Sequence, residues 1–182
     1  MSVADHLALV PPFRTVRHEV VPMEEWEILH AARVGSERLV ANLDRGNAPH
    51  YQNDRIESDW IAQPAAVLCE AAVAKHVGAY YDWSAWRSAQ HDRHAAKPDI
   101  DGLEVRRLRN PNLLATVRRR DLDKDVEIAP AYVDMADPRE VVVYGSILAE
   151  VAWSLGQAPK WDPVNARQFH VEHCVPHNPG AP

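Results

Sequence analysis

The chain changes its apolar rhythm once, near residue 100. Upstream, apolar residues recur at helical spacing; from Leu103 onward they fall into short runs separated by turns. Two helix-length segments followed by several strands limit the chain to an α+β arrangement, in which the helices cover a sheet built mostly from the second half.

The upstream half divides readily. Val10-Pro11-Pro12 closes a loose arm over residues 1–12, and Phe13–Val21 reads as a short strand with β-branched residues. Pro22 suits a helix start, and Glu24, Glu25 and Glu27 suit the positive end of a helix dipole. Trp26, Leu29, His30, Val34, Leu39 and Leu43 keep the helical period, with Gly35 as a point of bending and Gly46-Asn47-Ala48-Pro49 as the stop. A second helix is expected over Ser58–His76, broken or kinked at Pro64. Its alanine-rich part, Ala65–Val77, places Val67, Leu68, Ala71, Ala74 and Val77 on a buried face, and Gly78 is a natural C-cap. An aromatic run, Tyr80–Trp86, and a polar loop, His91–Pro98, follow.

Downstream, four strands are expected over 103–108, 113–118, 126–133 and 140–147. Asn110-Pro111-Asn112, Arg120–Asp125 and Ala136-Asp137-Pro138 separate them as turns. Pro130 marks the third strand as an edge or a bulge. Leu148–Leu155 reads as a short helix and Gln168–Val175 as a last strand. The expectation is a central mixed sheet flanked by helices, with N-terminal helices followed by a β-meander. At 182 residues the chain is the size of one domain with its own core, with residues 178–182 as a tail.

A net charge of −6 argues against a non-specific coat for nucleic acid, but charge is local. Arg107 and Arg109 lie close in sequence to Arg118, Arg119 and Arg120, which suits a phosphate-facing groove. Two cysteines fit a reducing compartment, with Cys69 a core residue. No run is long enough to span a membrane, and the first residues lack the pattern of a signal peptide, so a cytoplasmic location is expected.

The chemistry concentrates in Lys97-Pro98-Asp99-Ile100-Asp101-Gly102-Leu103-Glu104-Val105-Arg106. Mg²⁺ and Mn²⁺ take oxygen ligands, usually one or two carboxylates plus water and substrate phosphate. Asp99 lies in a turn before a strand, with Asp101 as its competitor. Glu104 and Arg106 are two apart and share a sheet face, while Leu103 and Val105 face the opposite, buried side. The Val105 carbonyl then also lies near the metal.

This segment, preceded by Glu70-Ala71-Ala72-Val73-Ala74-Lys75-His76-Val77-Gly78, resembles the PD-(D/E)XK nuclease superfamily, and within it small phage-encoded proteins. The resemblance covers about residues 57–177. It implies a restriction-endonuclease-like core and a location in the host cytoplasm for a phage-encoded chain. It also implies a metal-dependent deoxyribonuclease, with Glu70, Asp99 and Glu104 as acids. Arg106 stands where the family carries lysine and is expected as a further catalytic residue, contacting the phosphate. Arginine stays protonated and cannot act as a base, so the departure touches catalysis more than fold. Lys75 or Lys97 is a candidate for the missing ammonium.

Two alternatives follow from the residues. One is a nuclease-like fold with weakened catalysis that binds DNA or protein; the valine-rich fourth strand and the surplus tryptophans also permit a homodimer. The other is a zinc-stabilised structural protein using His170, His173, Cys174 and His177. Tyr80, Tyr81 and Trp83 are the aromatics best placed to line a groove, and Trp60, Trp86, Trp153 and Trp161 are further stacking candidates.

Overall fold

A computed structural model of the chain describes residues 16–44, 59–84, 97–100, 102–109 and 113–177. The expected N-terminal arm, the helix stop at residues 46–49, Trp86, Asp101, most of the 91–98 loop, the turn at 110–112 and the tail at 178–182 lie outside those residues. The fold is α+β.

Strand β1 (Glu19–Pro22) leads into helix α1 (Glu25–Asp44). Pro22 therefore ends a strand instead of opening a helix; it pairs with Glu140 of β5 (Glu140–Val143), whose four residues set the length of β1. The Glu27 carboxylate accepts a hydrogen bond from the Glu24 N–H at 2.7 Å, satisfying a donor before the first turn.

Helix α2 (Asp59–Val77) runs through Pro64 as one element. Proline removes one intrahelical hydrogen bond, and α1 packs directly over that place. A Cβ on Gly35 would stand 2.4 Å from Pro64 N, so glycine is what lets the two helices approach there. Every residue from Val67 to Ala74 is buried. The cause is position: α2 lies between α1 and the sheet, so it has no wet face to mark with polar residues. It ends at Gly78 (φ +71°) with hydrogen bonds from Ala79 N–H to Ala74 O and from Gly78 N–H to Lys75 O, the left-handed cap expected from the sequence.

The larger sheet has the order β1-β5-β4-β2, with β6 (Ile147–Leu148) also on β4 (Glu127–Val133). Strand β2 (Leu103–Arg107) pairs parallel with β4, and the other pairs are antiparallel, so this sheet is mixed. The expected meander does not form. Strand β3 (Leu114–Arg118) leaves β2 and pairs antiparallel with β7 (Ala166–His170) in a separate two-stranded sheet. The reason lies in β4: Ile128 to Ala131 are all buried, which suits a central strand, and small Ala129 and Ala131 fit beneath α2. Ala115 and Val117 of β3 bury instead in a second core with Phe169.

Pro130 is thus in a central strand, not an edge. It sits where the partner of β4 changes: β5 pairs only with residues 131–133 and β6 with 127–128. The expected single strand over 140–147 is broken here by Tyr144-Gly145-Ser146, and a missing N–H is tolerated opposite the break.

Alternation along β4 divides the interior. Ala129, Ala131 and Val133 join the core under α2; Ile128 joins the core formed with β3, β7 and helix α3 (Ala149–Leu155). The expected last strand is shortened: β7 ends at His170, a 3-10 turn covers Val171–His173, and Val175 makes an isolated bridge to Ser146.

Candidate functional site

Strand β2 is at one end of the sheet, so among the described residues one of its edges has no strand neighbour. Asp99 occupies that edge. The Ile100–Leu103 turn, closed by two backbone hydrogen bonds and by Gly102 at φ +72°, folds the chain back. It brings the Asp99 carboxyl to the Val105 N–H, which donates to Oδ2 at 2.9 Å.

Leu103 and Val105 face α2, as the sequence pattern requires, and Glu104 and Arg106 face the opposite way. On that side a 3-10 helix, Arg119–Lys124, closes over them. Arg106 donates from Nη1 to Glu104 Oε1 at 2.8 Å and to the Val105 carbonyl at 3.3 Å, from Nη2 to Asp121 Oδ2 at 2.6 Å, and from Nε to Thr116 O of β3 at 3.1 Å. Lys124 donates to Glu104 Oε2 at 3.0 Å and to the Lys97 carbonyl at 3.4 Å. Asp121 also accepts from the Arg118 N–H at 2.8 Å. Glu104 and Asp121 are 4% and 0% exposed, so these are buried charges held by partners, the condition under which burial is tolerated.

Glu70 belongs to a second network on the α2 side. Arg38 of α1 reaches both of its carboxylate oxygens at 2.9 Å, and the Tyr81 hydroxyl donates to Oε2 at 2.6 Å. Burial raises the Tyr81 pKa, and the Glu70 charge raises it further. The phenol therefore stays a donor.

Asp99 is the electrostatic link between the networks. Burial, then the charges of Glu70 and Glu104, push its pKa up to about 8, against the opposing pull of Arg106 and the Val105 N–H. At neutral pH its carboxyl holds a proton. Among the described residues it has no ion-pair partner, unlike Glu70, Glu104 and Asp121. Arg106 is the reverse case: burial disfavours its charge, but Asp121 and Glu104 outweigh burial and raise its pKa.

Glu70 and Glu104 each lie within electrostatic reach of Asp99, which joins the two networks. The Val105 carbonyl, a candidate ligand, accepts from Arg106. Of the candidate ammonium groups, Lys75 is bound to Glu27 and the Pro22 carbonyl at 2.9 Å, and Lys97 contributes its carbonyl. The ammonium beside Glu104 is that of Lys124, which sequence reasoning placed in a charged turn. Arg38 was missed, Asp121 was read only as part of that turn, and Tyr81, expected to line a groove, turns inward onto Glu70 instead. One signal was present: Asp121 and Lys124 are three apart, and residues at that spacing eclipse on a 3-10 helix.

Arg118, Arg119 and Arg120 are exposed where β3 meets the 3-10 helix; Arg109 is exposed beyond β2, and Arg107 is half-buried. Tyr80 is exposed, whereas Tyr81 turns inward and meets Trp83 edge-on at 4.9 Å. Trp153 is half-buried beneath the Arg167 guanidinium, and Trp60 and Trp161 are exposed.

The four candidate zinc ligands go to different places. His170 and His173 flank Glu172 at 3.6 and 3.9 Å, Cys174 is buried in the second core, and His177 packs against His76 with ring centroids 5.8 Å apart. Burial raises the Cys174 pKa, so the thiol stays protonated, and lowers that of His177. Among the described residues no three His, Cys, Asp or Glu side chains stand ready as a metal cage, the acids around β2 included. None of the described helices is long and apolar enough to cross a membrane. No protein-family model matches the chain, and no curated protein or solved structure matches it either.

Proposed function

We propose that this chain is a metal-dependent nuclease acting on DNA phosphodiester bonds, with a restriction-endonuclease-like core and Glu70, Asp99 and Glu104 as its acids. The observation that carries the reading is Asp99: a carboxyl between two further acids that, among the described residues, sits at an unpaired strand edge and has no cation of its own. Carboxylate oxygens are the donors that suit Mg²⁺ or Mn²⁺, so the donor chemistry fits such an ion. A cation at Asp99 would take the place of its proton. Bound there, the ion would supply positive charge for the oxygens of the reacting phosphate.

The chain's own residues divide the remaining work. Arg106 has its nitrogens engaged by Glu104, Asp121 and two carbonyls, so it orients Glu104 and does not contact phosphate. Lys124 supplies an ammonium 3.0 Å from Glu104. Exposed Arg118, Arg119 and Arg120 offer positive charge to a DNA backbone. Incubation of supercoiled and linear DNA with Mg²⁺ or Mn²⁺ tests the reading. Cleavage by the natural chain and loss of it in Glu104→Gln is the expected result; equal cleavage by both, or none by either, sinks it.

A second reading has its own observation. Both oxygens of Glu70 and both of Glu104 already face internal cations, which favours a nuclease-like fold that binds DNA without cutting it. DNA binding with no cleavage under any divalent ion would favour this reading over the first.

A further inference from the structure

We propose that the turn over residues 160–165 and the start of the 3-10 helix together bind single-stranded DNA, with Trp161 stacking on an unpaired base and Arg119 and Arg120 facing its phosphates. The inference rests on the reading that the chain acts on DNA, and it names the form of DNA taken.

The backbone brings the two segments together. Arg118 pairs with Ala166 across β3 and β7, and the Arg119 N–H donates to the Asn165 carbonyl at 2.8 Å. The Ala166 N–H donates to the Asp162 carbonyl at 3.2 Å, so Trp161 stands one residue beyond a closed turn at the end of the β3–β7 ribbon. Arg118, Arg119, Arg120, Lys160 and Trp161 are all exposed there, on a chain whose net charge is −6. Both acids of the two segments are engaged. Asp121 is buried and bound to Arg106, and Asp162 Oδ1 accepts from the Asn165 N–H and Nδ2 at 3.1 and 3.2 Å. The charge this surface offers is therefore positive.

The turn is braced, yet its indole is left out. Arg167 Nη1 donates to the Pro163 carbonyl at 2.7 Å, and the Arg167 guanidinium lies 4.6 Å from the Trp153 ring centroid of α3. Trp161 is nonetheless 62% exposed. A ring presented on a fixed turn has little freedom left to lose on binding. Aromatic rings among cations suit single strands, because every base has a face to stack, whereas a duplex keeps those faces inside its own stack. Trp26 is also exposed but stands beside the exposed Glu24 and Glu25, which repel phosphate.

The test is a fluorescence-anisotropy titration of the full chain against labelled oligothymidylate and against a duplex of equal length, in EDTA so that no cleavage intervenes. Oligothymidylate should bind about tenfold more tightly than the duplex, the scale of one stacked base. Trp161→Ala should lose about that factor on oligothymidylate and leave duplex binding unchanged, and Trp161→Phe should retain most of it. The double variant Arg119→Gln, Arg120→Gln should weaken binding and flatten its salt dependence. Equal affinity for the two DNA forms, full oligothymidylate binding by Trp161→Ala, or no binding to either form overturns the inference and leaves the nuclease reading to its cleavage assay. Trp161-dependent binding by a natural chain that cleaves nothing with Mg²⁺ or Mn²⁺ keeps the inference and removes the nuclease reading. A measurement on the natural chain covers a variant that fails to fold: the Trp161 indole N–H resonance should move on addition of oligothymidylate, and an unmoved signal refutes the stacking.

Discussion

Replacing Asp99 by Asn removes a proton-binding site while keeping an oxygen for the Val105 N–H. In the folded chain the Asp99 pKa is pushed from 3.8 up to about 8, first by burial and then by Glu70 and Glu104. The unfolded chain loses this proton near pH 4, whereas the folded chain keeps it to about pH 8. Across that window the folded state binds more protons, so stability falls as pH rises, and it levels off above the window. A tenfold change in proton affinity corresponds to about 1.4 kcal/mol, so the tighter hold of the folded chain on this proton sets a ceiling of roughly 6 kcal/mol. Relaxation and water entry lower the real figure, and about 2–3 kcal/mol is the expected loss. Urea unfolding from about pH 5 to about pH 9 measures it in both proteins. The natural chain should lose stability over this range relative to Asp99→Asn, and the variant should be the more stable at the alkaline end. Parallel stability profiles in the two proteins would show that Asp99 ionises as an ordinary carboxyl, and the electrostatic account of the site would fall.

Gly35→Ala should lower stability by about 2 kcal/mol, because a Cβ 2.4 Å from Pro64 N must push two helix backbones apart; a melting temperature equal to or above that of the natural chain would contradict the close approach. Tyr81→Phe should cost about 2 kcal/mol, the scale of a buried hydrogen bond to a charged acceptor, and chemical denaturation of the variant measures it.

Local features were legible in the sequence, and long-range ones were not. The alanine-rich α2, its Gly78 cap, the short α3 and the buried Leu103–Val105 face follow from propensity and period, which are properties of neighbouring residues. Strand partners are different. A two-residue period states which side of a strand is dry and is silent on which strand lies beside it. β2 therefore read as the neighbour of β3, although its partner is the parallel β4. Pro130 misled for the same reason, since its tolerance depends on the break between β5 and β6, a property of the partners. At the site, Asp99, Glu104 and Arg106 were found because they lie within one short segment. Their controlling partners come from elsewhere: Lys124 is 20 residues from Glu104, and Arg38 is 32 residues from Glu70. Only the fold brings such charges together.

The parallel pairing of β2 with β4 also bears on how the chain folds. A parallel pair needs a crossover, and here the crossover contains β3 and the 3-10 helix that carries Asp121 and Lys124. Closing that loop is the step that puts β4 beside β2 and the helix over Glu104. Glu104 and Arg106 lie on one stretch of chain and Asp121 and Lys124 on another, so their pairing depends on that closure. In the native topology, the closure that pairs β2 with β4 also carries Asp121 and Lys124 to the charges they neutralise.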